Sequence, residues 1–186
     1  LLDTLGINPA AGREVEKKLI LVTAHRRENF GEPLEQICEA LVELAGGGDV
    51  EIVYPVHPNP NVQETANRIL QGVAHITLLP ALDYLPMVQL MKHAYLVLTD
   101  SGGIQEEAPY FGIPVLVLRE VTERPEGVEA GVLKLVGTRS QEIVSATRRL
   151  LDDQEAHVRM AKAIQPFGDG HAAEKIVRAL VDICAL

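Results

Sequence analysis

Short runs rich in Val, Ile and Leu recur along this chain, and nearly every one is followed by a segment with helical spacing. That alternation limits the fold more than any other feature. The runs at 18–24, 50–56, 75–79, 95–99, 113–118 and 131–136 read as strands. Between them, Pro33 opens a helix whose Leu34, Ile37, Cys38, Leu41 and Val42 share one face. Further helices are expected at 62–70, 84–93 with Asp83 as cap, 104–110, 140–151 with Ser140 as cap, 153–163 and 171–184. The strands are apolar almost throughout, so both faces of the sheet must be covered. The chain is therefore predicted to be α/β, a Rossmann-like parallel sheet with helices on both faces and right-handed crossovers. Residues 18–186 read as that one domain, and residues 1–17 as a linker or the tail of an upstream element.

In sheets of this kind ligands gather at the carboxyl ends of the strands. The loops there, 25–31, 57–61, 80–82, 101–103 and 119–127, hold most of the unusual chemistry, whereas 46–49 and 72–74 are plain turns. The most informative follows the fourth strand, where Asp100 leads into Ser101-Gly102-Gly103 and a helix. Ser101 suits an N-cap, and the glycines allow close approach to the backbone. The free amides and positive end of such a helix suit an anion, above all a phosphate. Glu107, about a turn and a half along, can reach back towards sugar hydroxyls. A plainer reading stands beside this one: many such turns bind nothing, and Glu106 and Glu107 complement the helix dipole.

Other rim residues carry the same two readings. Arg26, Arg27 and Arg124 offer forked donors to phosphate, or they pair with Glu28 and Glu123. Adjacent arginines point different ways, so only one of Arg26 and Arg27 should face a ligand. His25 and His57 lie on one rim and can move a proton near neutral pH, or hydrogen-bond loop backbone. Met87 offers an apolar surface to a flat base, or belongs to the core. Asp100 reads as structural, holding the turn. His75, His93, His157 and His171 fall away from the rim.

The net charge is −9, with no dominant basic cluster, which argues against nucleic acid as a partner. A phosphate must then be held by backbone amides and a few placed arginines. Neither histidine has companions at metal-ligand spacing, so no metal and no cofactor are expected. The two cysteines, Cys38 and Cys184, read as small core residues of a reduced, cytoplasmic chain. No apolar run approaches the roughly 20 residues a membrane span needs.

Four motifs together resemble one family, the non-hydrolysing UDP-N-acetylglucosamine 2-epimerases. They are residues 21–31, containing His25-Arg26-Arg27-Glu28-Asn29-Phe30-Gly31; residues 54–62, containing His57-Pro58-Asn59-Pro60; residues 98–109, containing Ser101-Gly102-Gly103; and Val117-Leu118-Arg119 with residues 122–127. The resemblance runs from about residue 19 to residue 137. It implies the second domain of a GT-B-type two-domain fold, with the substrate in the cleft between domains.

It further implies that Ser101, Gly102 and Gly103 hold the UDP diphosphate and that Glu107 binds the ribose; Arg124, a phosphate partner on the residue reading above, joins them as a substrate-binding residue. Met87 would lie on the uracil, where the family usually has an aromatic residue. His25 would be catalytic, and Arg26 and His57 would contact a second, regulatory UDP-N-acetylglucosamine. The family reaction inverts C2 to give UDP-N-acetylmannosamine, through elimination and re-addition of UDP. The family's C2 carboxylates lie in the first domain, which this chain does not include, so the chain alone should be inactive. Homodimers and a place in cell-envelope polysaccharide biosynthesis are also implied. The rival readings are the donor domain of a GT-B-type glycosyltransferase and a non-catalytic nucleotide-sugar-binding regulatory domain.

Overall fold

The computed structural model describes residues 17–162 and 166–184. Its strands are β1 (Lys18–Thr23), β2 (Val50–Val56), β3 (Ile76–Pro80), β4 (Leu96–Thr99), β5 (Val115–Val117) and β6 (Leu133–Leu135). All pair in parallel, in the order β3-β2-β1-β4-β5-β6. This is the doubly wound order, in which the chain starts at the middle of the sheet and winds outwards both ways. The expected fold class holds.

The helices are α1 (Glu32–Gly46), α2 (Pro60–Leu70), α3 (Tyr84–His93), α4 (Gly102–Tyr110), α5 (Pro125–Glu129), α6 (Ser140–Asp152), α7 (Gln154–Ala161) and α8 (Ala172–Cys184). Two buried clusters follow from the period-two alternation of each strand. Ile20, Val22, Ile52, Tyr54, Leu96 and Leu98 meet α1, α2 and α6 on one face. Leu19, Leu21, Val53, Val97, Val115 and Val117 meet α3 and α4 on the other. Neighbouring residues of one strand thus serve opposite cores, as their near-continuous apolar character requires.

Some local expectations are corrected. The segment 119–127 is not all loop: Pro125 opens the short α5, where its fixed φ and missing N–H cost a first turn nothing. Ser101 and Asp83 precede their helices, but neither side chain makes a capping bond. Ser140 is the first residue of α6, and Arg139 occupies the cap position. Asn59 does cap α2, accepting from the Asn61 amide at 3.0 Å. Pro80 extends β3, tolerable because β3 is an edge strand whose outer amides need no partner.

Cys38 is buried as expected, whereas Cys184 is exposed. It sits on α8, whose Ile176, Val177, Leu180, Val181 and Ile183 are also exposed among the described residues. The apolar period of this segment was real, but that face does not turn onto the sheet.

Candidate functional site

Because β1 and β4 are neighbours whose following segments leave in opposite directions, a crevice opens beyond their carboxyl ends. The two strand ends are pinned side by side. Thr23 and Thr99 are in register, and their buried hydroxyls are 2.5 Å apart. The Thr99 hydroxyl also accepts from the Ser101 amide at 2.9 Å. Beneath the end of β1, the buried Tyr54 hydroxyl donates to the Ala24 carbonyl at 2.6 Å.

Asp100, fully buried, ties the loop after β1 to the turn after β4. Its Oδ2 accepts from the His25 amide at 2.8 Å, the Arg26 amide at 2.8 Å and Asn29 Nδ2 at 2.9 Å. Arg26 Nε donates to the Asp100 carbonyl at 3.2 Å, and Asn29 Nδ2 also reaches the Leu118 carbonyl at 3.2 Å. The structural role expected of Asp100 is therefore correct but too small. It orders the rim across three strand ends.

These bonds set up the front of α4. The first amides of a helix have no partner within it, and here Ser101 caps none of them. Space in front of Gly102 is open but lined with cations. A methyl group on that glycine would lie 3.5 Å from Arg26 Nη2 and 3.9 Å from Arg124 Nη2. Arg26, half-buried, thus faces the crevice while Arg27 is exposed, as expected of adjacent arginines. The resemblance implies that Arg26 contacts a second, regulatory nucleotide sugar. Arg26 stands over the same glycine as Arg124.

Both guanidiniums are already engaged with acids. Arg124 Nε pairs with Glu106 Oε1, and Arg26 Nη2 lies 3.7 Å from Glu123 Oε2. Behind them Arg119, almost buried, bonds Glu28 and Glu123 at 2.6 Å each. The Arg119 hydrogen bond holds the Glu123 carboxyl down to about 2. Arg124 is further fixed through its amide, which donates to Thr122 Oγ1 at 3.0 Å, and Thr122 in turn donates to the buried Gln105 Oε1. The arrangement is two forked cations, oriented in advance, beside open helix amides.

Glu107 reaches back over the same turn: its Oε1 would lie 3.8 Å from a methyl on Gly103. The Glu107 carboxylate beside it pushes the exposed Tyr84 phenol up from its ordinary value. Tyr84 was not among the residues singled out from sequence. Its signal was its place three residues before Met87, on one face of α3. Met87 is half-buried and packs against the second core cluster, so the core reading accounts for part of its surface.

His25 and His57 do come together: their rings stack with centroids 5.1 Å apart and planes 14° from parallel. His57 Nδ1 accepts from the Asn59 amide at 3.1 Å. The His25 pKa is lowered, chiefly by burial. Asp100 opposes that shift, and His57 and Arg26 add to it. The other histidines lie elsewhere, as expected. His75 stands at φ +66° against Glu51 and Lys17, and His157 stacks on Tyr95.

A family model described as UDP-N-acetylglucosamine 2-epimerase matches residues 6–181. A UDP-N-acetylglucosamine 2-epimerase of Yersinia pestis is 56% identical over 168 residues, 90% of this chain and 45% of that protein. One of Escherichia coli strain K12 is 55% identical over 166 residues, 89% of this chain and 44% of that protein. The chain thus spans a little under half the length of these curated relatives. Among solved structures, the S. aureus MnaA–UDP co-structure superposes with TM-score 0.85 at 51% identity, covering 88% of this chain and 45% of that one. The Neisseria meningitidis UDP-GlcNAc 2-epimerase bound to UDP-GlcNAc gives TM-score 0.87 at 41% identity, over 97% of this chain and 49% of that one. An E. coli heptosyltransferase with ADP, 15% identical at TM-score 0.56, shares the fold alone. A match through nearly the whole chain, over a sheet that opens at its switch point onto amides and arginines, makes this chain a member of the UDP-N-acetylglucosamine 2-epimerase family.

Proposed function

We propose that this chain is the nucleotide-binding half of an enzyme that inverts C2 of UDP-N-acetylglucosamine to give UDP-N-acetylmannosamine. The observation that carries the reading is the convergence of Arg26 and Arg124, from loops after different strands, on the open amides at Gly102. A diphosphate seated there gains backbone donors, the helix dipole and two forked cations. It competes with Glu106 and Glu123 for the guanidiniums. The arginines are therefore held in place before the nucleotide arrives, and less order is lost on binding.

In this reading Ser101, Gly102 and Gly103 cradle the diphosphate and Glu107 takes ribose hydroxyls, with Tyr84 steadying its carboxylate. Met87 covers the uracil with a polarisable thioether in place of a stacked ring. Elimination gives the C2 proton to a base, forms a C1–C2 double bond and breaks the C1–O bond, so that UDP leaves as a more highly charged anion. Donors aimed at the departing phosphate lower that barrier most, because charge develops there in the transition state. His25, neutral near pH 7 with its pKa lowered chiefly by burial, is suited to act as a base towards the sugar, beside the departing group. Arg26 and His57 stand close enough to His25 for any second nucleotide sugar at their position to touch the reacting site directly. The carboxylates that act at C2, a homodimeric assembly, a cytoplasmic setting and a role in supplying envelope polysaccharide precursors belong to the same proposal. Among the described residues no helix is long and apolar enough to cross a membrane.

The test is to incubate the intact protein with UDP-N-acetylglucosamine and no acceptor, and to follow the sugar by proton NMR. Appearance of the manno epimer supports the reading. Turnover only on addition of an acceptor, with UDP released, establishes the glycosyltransferase alternative instead.

A further inference from the structure

Asp100 has two carboxylate oxygens with very different surroundings. Oδ2 accepts three N–H donors, from His25, Arg26 and Asn29, at 2.8 to 2.9 Å. Oδ1 is buried and has no hydrogen-bond partner. A buried acceptor left unpaired costs about 1–3 kcal/mol, so native structures seldom leave one without reason. The group nearest to satisfying it is the imidazole of His25, whose Nδ1 lies 3.6 Å away. That separation is just beyond hydrogen-bond range, and a small ring rotation closes it. Catalytic hydrogen bonds commonly stand long until substrate arrives.

The loop geometry leaves His25 little choice. Its own amide is bonded to the same carboxylate, so its Cα is fixed over Asp100. The ring stacks on the imidazole of His57. Rotation about the side chain therefore moves Nδ1 towards or away from Oδ1, and Nε2 swings the opposite way. Nothing in the sequence pairs these two residues, which are 75 positions apart.

We propose that Asp100 is a positioning residue for His25, its Oδ1 accepting Nδ1–H so that the lone pair of Nε2 is turned towards the crevice in front of Gly102. The inference rests on the reading of His25 as a base towards the sugar of the bound nucleotide. The physical role is twofold. It selects one tautomer of a neutral imidazole, since the hydrogen bond made at one nitrogen decides which atom is left free at the other. It also stabilises the imidazolium that forms if Nε2 takes a proton.

The decisive variant is Asp100→Asn. An asparagine oxygen can still accept the loop amides that Oδ2 accepts, while its NH2 then faces His25 and calls for the opposite tautomer. In the intact protein, with nitrogen-15-labelled histidine, neutral His25 is expected to carry its proton on Nδ1. In Asp100→Asn it is expected on Nε2. Turnover of UDP-N-acetylglucosamine is expected to fall on the order of a hundredfold, with UDP affinity changed less than about threefold, a difference under 1 kcal/mol.

Neutral His25 carrying Nε2–H in the unsubstituted protein overturns the proposal, and that measurement needs no variant to fold. So does an Asp100→Asn protein whose turnover stays within about threefold of the original. An intact protein that never turns over UDP-N-acetylglucosamine defeats the functional reading instead, and the tautomer still decides the pairing.

Discussion

Gly102 is the residue at which the candidate site is most easily broken without disturbing the fold. Its backbone is not in the left-handed region, so a side chain is accepted by the helix. What a side chain fills is the space under the two guanidiniums. Gly102→Val is expected to reduce UDP affinity by at least about tenfold, roughly 1.4 kcal/mol, measured by isothermal titration, with the thermal midpoint nearly unchanged. Arg124→Lys should lose a similar amount, because an ammonium on a flexible stem cannot reproduce the fork that Glu106 and Thr122 hold in place.

The pH behaviour of His25 follows at the same scale. The groups facing it are Asp100, which raises its pKa, and His57 and Arg26, which lower it. Burial dominates, so the folded value lies below the ordinary 6.5. Between that lowered value and 6.5 the unfolded chain binds more protons than the folded one. This contribution to stability therefore declines as pH falls through that window. An NMR titration of His25 with its midpoint at or above 6.5 would contradict the assignment.

At the scale of elements, the end of β1 is what brings His25 and Arg26 to the crevice, and Tyr54 on β2 supports it from below. Tyr54→Phe removes a buried donor and leaves the Ala24 carbonyl unpaired. The expected cost is about 1–3 kcal/mol, read by urea denaturation at unchanged m-value. Because the loop after β1 also hangs on Asp100, the rim should survive and UDP binding should persist at reduced temperature.

The sequence was most legible here. Each buried strand is a run of Val, Ile and Leu, and each turn to a helix carries Gly, Pro or Asn, so the alternation and the rim could be read directly. Elements whose character depends on distant partners were less legible. The α5 segment is charged and starts with proline, which describes a loop equally well. The apolar stripe of α8 calls for a cover without saying what supplies it, and among the described residues it is exposed. The Asp100 hub was hidden for the same reason: its bonds join positions more than 70 apart, and no local pattern encodes that pairing.

For the whole molecule, the distribution of chemistry across the rim predicts a division of labour. Everything assembled around Gly102 is suited to hold an anion and let it depart: amides, guanidiniums, and acids occupied with those guanidiniums. Inverting C2 requires in addition a base on one face of the sugar and an acid on the other. Around Gly102 several carboxylates are occupied. Glu123 and Glu28 bind Arg119, Glu106 binds Arg124, and Asp100 is buried under the loop. On the reading proposed above, the 186-residue chain is expected to bind UDP and to leave UDP-N-acetylglucosamine unchanged. Two measurements separate the parts of that expectation: calorimetry with UDP, and NMR of the sugar over long incubation. Binding without epimerisation fits a chain that supplies the leaving-group half of the reaction. Epimerisation by this chain alone would mean that one of these paired carboxylates is released when substrate binds, and Glu106, displaced from Arg124 by phosphate, would be the first to substitute.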